Sequence, residues 1–235
     1  MIFFGRDNYK IISNPDFREL KRKYANTWKD DGIPQKQWPR VERQMQNISA
    51  VPEFRALVDC VQATKLKNPS ILEIGCSSGY LSEVLMKAGI KARYEGTDYS
   101  PSFIRFAKQK YPDIKFTIDN ATNLHYKNNS FDIVISGCCL LHIINYPKAI
   151  AETERVARKF AIFHRTPILH SSLTSFLTKT AYGAEMLDIY FNEDELIDLF
   201  YQNDLAIIKT KTISQGRISG LEEDMVMKNY LCRKL

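Results

Sequence analysis

A chain of 235 residues, 44% hydrophobic and 26% charged, can bury one core of ordinary size, which excludes the disordered and low-complexity classes. Its 33 Lys and Arg against 27 Asp and Glu leave a net charge of +6, an excess that serves solubility as readily as attraction to an anionic partner. The longest apolar stretch, Phe131 to Ile144, is broken by Asp132 and His142 and too short for a bilayer, and Met1 to Asp7 lacks the features of a secretory leader. No membrane span and a cytoplasmic location are therefore expected. The cysteines, Cys60, Cys76, Cys138, Cys139 and Cys232, are odd in number and lack zinc spacing, which predicts free thiols rather than a disulfide or metal scaffold.

The chain opens with a polar, helical region over residues 1–68. Asn14-Pro15 predicts a helix start, and Phe17, Leu20, Tyr24 and Trp28 share one helical face until Asp30, Asp31, Gly32 and Pro34 break it. A second helix is predicted from Ser49 to Lys67, ended by Asn68-Pro69. The pattern then changes. Strands are predicted at Ser70–Ile74, Arg93–Thr97, Lys115–Ile118, Phe131–Ser136 and Phe160–His164, with helices at Tyr80–Ala88, Pro101–Lys110 and Pro147–Arg158 between them. Strands alternating with helices of this length imply βαβ units, hence an α/β doubly wound, mostly parallel sheet. Residues 166–190 read as an insertion or loop with a short helix. Asn192 with Glu195 forms a capping box for a helix to Gln202, and strands at Ala206–Ile213 and Met225–Arg233 are expected to pair as an antiparallel hairpin at one end of the sheet.

The run Ile71-Leu-Glu-Ile-Gly75-Cys-Ser-Ser-Gly79-Tyr80 takes a buried strand through a glycine turn into a helix. Such a turn lets backbone N–H groups approach a ligand, with a helix N-terminus behind them. As a dinucleotide fingerprint it fails at Ser77 and Tyr80, and as a P-loop it lacks the Lys after Gly79. The pattern acidic-x-Gly-x-x-x-Gly resembles the first motif of the class I S-adenosylmethionine-dependent methyltransferases. From about Pro69 the chain is similar to that family in motif order, which implies a seven-stranded Rossmann-like sheet, with residues 1–68 as a helical cap and residues 166–190 as a late insertion closing the site.

The resemblance also implies a cofactor, S-adenosyl-L-methionine, with S-adenosyl-L-homocysteine as product. Glu95-Gly-Thr-Asp98-Tyr99-Ser100-Pro101 resembles the second motif, whose acid, here Asp98, takes the ribose hydroxyls. Phe116-Thr-Ile-Asp119-Asn120-Ala121 resembles the adenine-reading segment, with Asn120 where the family carries an acid. Phe131 to Cys138, including Ser136, resembles the fourth-strand motif beside the methionine part. Glu73, Gly75, Cys76, Ser77, Gly79, Asp98, Tyr99, Asn120, Ala121 and Ser136 are thus the expected cofactor residues. Ser77 departs from the family's glycine, and a positive φ there would strain the loop.

His142 lies where relatives carry a histidine or acid facing the substrate, and His164 follows the fifth strand; both are candidate bases. Arg165 and Trp28 are candidate substrate contacts, with Tyr9 and Trp38 as further lid aromatics. Cys138 and Cys139 read as packing residues. No Asn/Asp-Pro-Pro-Tyr/Phe segment follows the fourth strand and no Pro-Cys pair is present, so a small-molecule acceptor is preferred over RNA. A degenerate binding module is the alternative from another class, and a nicotinamide-dependent oxidoreductase a third. Thirteen Lys and Arg against eight Asp and Glu fall in residues 1–68, so the basicity belongs to the cap.

Overall fold

The computed structural model describes residues 9–235; the Met1–Asp7 stretch discussed above lies outside the described residues. In chain order the elements are β1 (Lys10–Ile11), α1 (Phe17–Tyr24), α2 (Ile33–Met45), α3 (Pro52–Ala63), β2 (Ser70–Ile74), α4 (Tyr80–Lys87), β3 (Arg93–Asp98), α5 (Pro101–Lys110), β4 (Lys115–Ile118), β5 (Phe131–Gly137), α6 (Tyr146–Val156), β6 (Ala157–Leu169), β7 (Ser175–Ala181), β8 (Ala184–Asn192), α7 (Glu193–Gln202), β9 (Leu205–Arg217) and β10 (Asp224–Lys234).

Strands β4, β3, β2, β5 and β6 pair in parallel, and β10 and β9 continue the sheet antiparallel to β6 and to each other. This is the expected doubly wound sheet, with its antiparallel pair at one end. Both faces are covered because successive residues of the central strands alternate between two cores. Ile71, Ile133, Ile135, Ile162 and Leu231 meet α3 and α4. Leu72, Ile74 and Val134 pack on the opposite side, as do Ala161, Phe163, Tyr230 and Cys232 against α6 and α7.

Among the described residues the sheet has ten strands rather than seven. Residues 166–190 form neither a loop nor a short helix: β6 runs on to Leu169, and β7 and β8 make an antiparallel hairpin. The cause is a change of partner along β6. Its pairing with β5 ends at Gly137↔His164, and beyond that point Ile168 and Leu169 pair in parallel with Phe191 and Asn192 of β8. The hairpin therefore takes over the edge that β5 vacates and stands above the C-terminal end of the sheet. Lys10 and Ile11 add a short strand to β7, which ties the N-terminal region to this hairpin.

The N-terminal helices also differ from expectation. α1 is capped by Asp16, which accepts from the Arg18 and Glu19 amides at 2.8 and 3.2 Å, while Asn14 takes a positive φ of 52°. α2 falls where the breakers Gly32 and Pro34 suggested an interruption: Pro34 occupies its first turn, where a missing N–H costs nothing, and the helix accommodates Pro39 while burying Ile33, Val41 and Met45. α3 is shorter than predicted because Pro52 starts it and Lys65, at φ 56°, follows its end. The Asn192 cap forms as expected, accepting from the Glu195 amide, and Ser100 caps α5 by accepting from the Phe103 amide. Among the described residues no helix is long and apolar enough to cross a membrane, and no group of three or more His, Cys, Asp or Glu could hold a metal ion.

Candidate active site

A cavity of about 500 Å³ opens at the C-terminal ends of the parallel strands, the place where open α/β sheets bind ligands. Its floor is the turn after β2. Gly75, Ser77 and Gly79 all have positive φ, of 70, 53 and 78°. At Gly75 a side chain is excluded twice over, since a Cβ would also stand 2.3 Å from Cys139 Cβ. Ser77 holds the left-handed conformation without being glycine, a conformation that costs an L-residue roughly 1–2 kcal/mol. Its neighbours hold it there: its N–H donates to Asp98 Oδ2 at 2.9 Å, and its hydroxyl donates to Gln37 Oε1 at 2.7 Å.

Asp98 ends β3 and lines the cavity. Its other oxygen accepts from the Ser100 amide at 2.9 Å, so the carboxylate is oriented by two backbone donors and keeps acceptor capacity for a ligand. Burial pushes this carboxyl up to about 6, against the pull of the Ser100, Ser77 and Tyr99 amides. Tyr99, Asn120 and Ala121 line the same end of the cavity. Asn120 folds its side-chain oxygen back onto the Thr122 amide and hydroxyl, both at 2.9 Å. Asp119 is held by the Asn120 amide and by His125.

Four of the expected cofactor residues stand behind the lining rather than in it. Glu73 is buried beneath the loop, where the Tyr94 hydroxyl donates to it and burial raises its carboxyl well above the usual range. It contacts no loop amide, and Gly137 must lack a side chain because a Cβ would lie 2.2 Å from Glu73 Oε1. Cys76 is buried among Ile104, Ala107 and Phe116. Gly79 starts α4, and Ser136 pairs its hydroxyl with the Cys139 thiol at 3.3 Å. Cys138 and Cys139 do reach the cavity wall, but burial pushes the Cys139 thiol up to about 12, which keeps it protonated and a poor nucleophile.

The two candidate histidines part company. His164 is sealed inside the sheet, 2% exposed, with Nδ1 3.0 Å from Asn229 Oδ1. Burial and the Arg165 charge hold it down to about 3; it lies off the cavity, and the expectation of a base at this position is corrected on that ground. His142, in the short turn Leu140–His142 after β5, lines the cavity. Its Nδ1 lies 2.8 Å from the Leu187 carbonyl and 3.2 Å from Asp188 Oδ1. A carbonyl can only accept, so Nδ1 carries the hydrogen and the neutral ring keeps its lone pair on Nε2. Lys179 Nζ stands 2.5 Å from the other Asp188 oxygen. Burial opposes ionisation of Asp188, yet His142 and Lys179 outweigh it and keep the carboxyl below its ordinary value.

The roof comes from the N-terminal region and the β7–β8 hairpin. Trp28 packs on His142 with ring centroids 4.7 Å apart and planes tilted by 54°, and its amide donates to the Tyr99 hydroxyl at 3.2 Å. Tyr9 and Tyr182 also line the cavity, as does Arg165; Trp38 packs on Phe106 and takes no part in the lining. Ile33, Phe103 and Met186 form a buried cluster that joins α2, α5 and β8. Gln37, Lys179 and Asp188 escaped sequence reasoning. Two runs rich in β-branched and aromatic residues, Ser175–Ala181 and Ala184–Asn192, joined by Tyr182-Gly183, are the signal that could have placed the last two on strands of a hairpin.

Residues 72–163 match the family model of a methyltransferase domain. The phthiotriol/phenolphthiotriol dimycocerosates methyltransferase of Mycobacterium leprae is 34% identical over 98 residues, 40% of this chain and 35% of that protein. The ubiquinone/menaquinone biosynthesis C-methyltransferase of Campylobacter jejuni is 28% identical over 101 residues, 41% of this chain and 43% of its own. The chain thus aligns with less than half the length of these curated relatives. Among solved structures, 1,6-didemethyltoxoflavin-N1-methyltransferase of Burkholderia thailandensis, with 1,6-didemethyltoxoflavin and S-adenosylhomocysteine bound, superposes at a TM-score of 0.67 with 15% identity, over 100% of this chain and 98% of that one. Magnesium protoporphyrin IX methyltransferase of Synechocystis superposes at 0.62 with 16% identity, over 93% and 100%; at such identities the likeness is one of fold. The glycine turn, the acid ending β3 and the matched segment agree in order along the chain, so residues 72–163 are similar to a methyltransferase domain within a fold shared with S-adenosylmethionine-dependent methyltransferases.

Proposed function

We propose that the protein transfers a methyl group from S-adenosylmethionine to a small-molecule acceptor. The observation that carries this reading is the convergence of the Gly75–Gly79 turn and the Asp98 carboxylate on one cavity that the N-terminal region and the hairpin roof over. The donor set suits the cofactor: a carboxylate with spare acceptor sites for ribose hydroxyls, backbone N–H groups at a glycine turn, and the Asn120–Ala121 segment at the adenine end. Glu73 and Ser136 would act by shaping the loop and strand end rather than by touching the ligand.

The bound cofactor's sulfonium supplies a methyl group already activated for transfer, so the chain's own task is alignment, exclusion of water and removal of a proton where the acceptor carries one. His142 is the group placed for that removal. Leu187 fixes its tautomer, and the Asp188 carboxylate offers a negative charge beside a ring that takes up a proton. Trp28 and Tyr182 close the cavity over it. An enclosed pocket lined by aromatic and methionine side chains favours a small, partly apolar acceptor over a polymer.

Thermal unfolding with S-adenosylmethionine or S-adenosylhomocysteine tests the first half of the reading. A ligand at 100 times its dissociation constant adds about 2.7 kcal/mol of stability, and an unchanged melting temperature at millimolar ligand would sink it. NAD(H) is the control for the oxidoreductase alternative. Candidate acceptors incubated with cofactor and protein should then gain the mass of one methylene in step with S-adenosylhomocysteine release; a binder that never turns over is the degenerate module.

A further inference from the structure

Arg165 is the point at which β6 has passed its last pairing with β5 and has not yet met β8. Its backbone is left-handed, at φ 57°, and is pinned by the Asn229 side chain, whose Oδ1 accepts the Arg165 amide at 2.9 Å. The side chain leaves the regular alternation of the strand and enters the cavity wall.

A guanidinium presents five N–H donors and a charge that no accessible pH removes. Among the described residues, no hydrogen-bond acceptor meets the Arg165 side chain and no carboxylate lies within 4.0 Å of it. Its Nε is sealed from solvent without a partner. Glu53 lines the same cavity but stands beyond ion-pair distance. Other buried charges of the site are answered: Lys179 has Asp188, and Asp98 has two amides. A half-buried cation with a sealed, unpartnered Nε carries a desolvation cost that no group of the protein offsets, which points to a group kept for a ligand.

We propose that the Arg165 guanidinium receives a carboxylate carried by the small molecule bound in this cavity. The fork of parallel N–H groups matches the two oxygens of a carboxylate in a bidentate pair. Such a group has two sources here, the aminoacyl end of the methyl donor and an acidic acceptor, and the inference rests on the cavity being the methyl-transfer site.

The test compares the full chain with its Arg165→Gln and Arg165→Lys variants by titration calorimetry against two matched pairs. S-Adenosylhomocysteine and its decarboxylated analogue, S-adenosyl-3-thiopropylamine, differ by the aminoacyl carboxylate; benzoate and benzamide, titrated with and without saturating S-adenosylhomocysteine, differ by a charge at constant shape. Arg165→Gln should weaken the carboxylate member of one pair by about tenfold or more, the order expected for a charge-assisted bond, and leave its neutral partner within about twofold. The pair that responds identifies the source, and Lys should recover part of the loss. Equal losses on both members, or no Arg165-dependent preference for a carboxylate in either pair, overturns the proposal. The ligand-free melting temperature of Arg165→Gln should equal or exceed that of the parent; a fall of several degrees would assign Arg165 to structure and also overturns it. Failure of both nucleosides to bind the parent chain would instead defeat the methyltransferase reading, and the benzoate pair still reports on Arg165.

Discussion

The floor and the roof of the cavity are held by different kinds of interaction. The floor is backbone held by backbone and by buried carboxylates: the Cys76 amide donates to the Thr97 carbonyl at 2.9 Å, Asp98 takes the Ser77 and Ser100 amides, and Gly75 and Gly137 leave no room for a Cβ. The roof is side chain on side chain: Tyr24 to Glu185 at 2.7 Å, Lys36 to the Tyr182 carbonyl at 3.0 Å, Gln37 to Ser77, and the Ile33, Phe103 and Met186 cluster. Contacts of the second kind, several of them solvent-exposed, are individually weak and can part without unfolding a sheet. On the proposed function, this difference gives the two regions different jobs, a rigid floor to place the cofactor and a separable roof to admit and cover the acceptor.

The largest expected effect is on the floor. Asp98→Ala should reduce affinity for S-adenosylhomocysteine by about a hundredfold or more, two charge-assisted hydrogen bonds being worth roughly 3 kcal/mol or more; a loss below fivefold in calorimetry would remove the ribose role from this residue. His142→Gln, beneath the roof, should lower turnover about a hundredfold on any acceptor shown to gain a methyl group, with cofactor affinity within about twofold. Comparable losses in both quantities would make His142 part of the cofactor's seat and erase the distinction between the regions.

Stability separates them further. Gly75→Ala forces a Cβ to within 2.3 Å of Cys139 at a φ of 70°, and should cost roughly 2–3 kcal/mol in urea unfolding. Ser77→Gly relieves a left-handed serine while giving up its bond to Gln37, and should change stability by less than about 1 kcal/mol.

Acid acts through two groups of opposite sign, Asp98 in the floor and His164 sealed within the sheet. On the proposed reading Asp98, raised from 3.8 to about 6, meets the cofactor as a carboxylate, so affinity should fall as pH drops through 6, approaching tenfold per unit, and Asp98→Asn should flatten that profile. In the ligand-free protein the same shift means that the folded state holds the proton more readily. Between 3.8 and about 6 this group's contribution to stability therefore decreases as pH rises. His164, held down from 6.5 to about 3, stays neutral in the fold while the unfolded chain protonates, so its contribution is lost as pH falls across that window. Denaturation of His164→Gln at successive pH values should show a shallower acid slope than the parent.

The smallest effect belongs to the join between the regions. Gln37→Ala removes the acceptor of the Ser77 hydroxyl, a bond worth about 1 kcal/mol, and should speed S-adenosylhomocysteine release a few-fold in stopped flow while leaving equilibrium unfolding nearly unchanged. A large drop in stability would mean that the roof is built into the core after all.

Much of the floor is legible in the amino-acid order because its determinants are local. Gly75 and Gly79 mark a turn by their own conformational freedom, Ser100-Pro101 caps and starts α5 within three residues, and Asp98 ends a strand whose partners are set by alternation. Glu73 shows the limit of that reasoning, since its answering group is Tyr94 on the neighbouring strand rather than a loop amide. In the roof, local signals conflict with tertiary ones. Pro39 argues against a helix that the packing of Ile33, Val41 and Met45 nonetheless holds. The polar residues of 166–190 suggest a loop until β6 supplies an edge for β8 to pair with.

Composition, alternation and turn chemistry therefore determined the doubly wound sheet, its glycine turn and the acid at the end of β3, because each depends on residues a few positions apart. Tertiary structure alone decided that His142 meets Asp188 and Lys179, that His164 is sealed away from the cavity, and that Arg165 enters it unanswered. Those outcomes depend on where β6 exchanges one partner for another, and strand pairing over such separations is set by the packing of the whole sheet rather than by any segment of it.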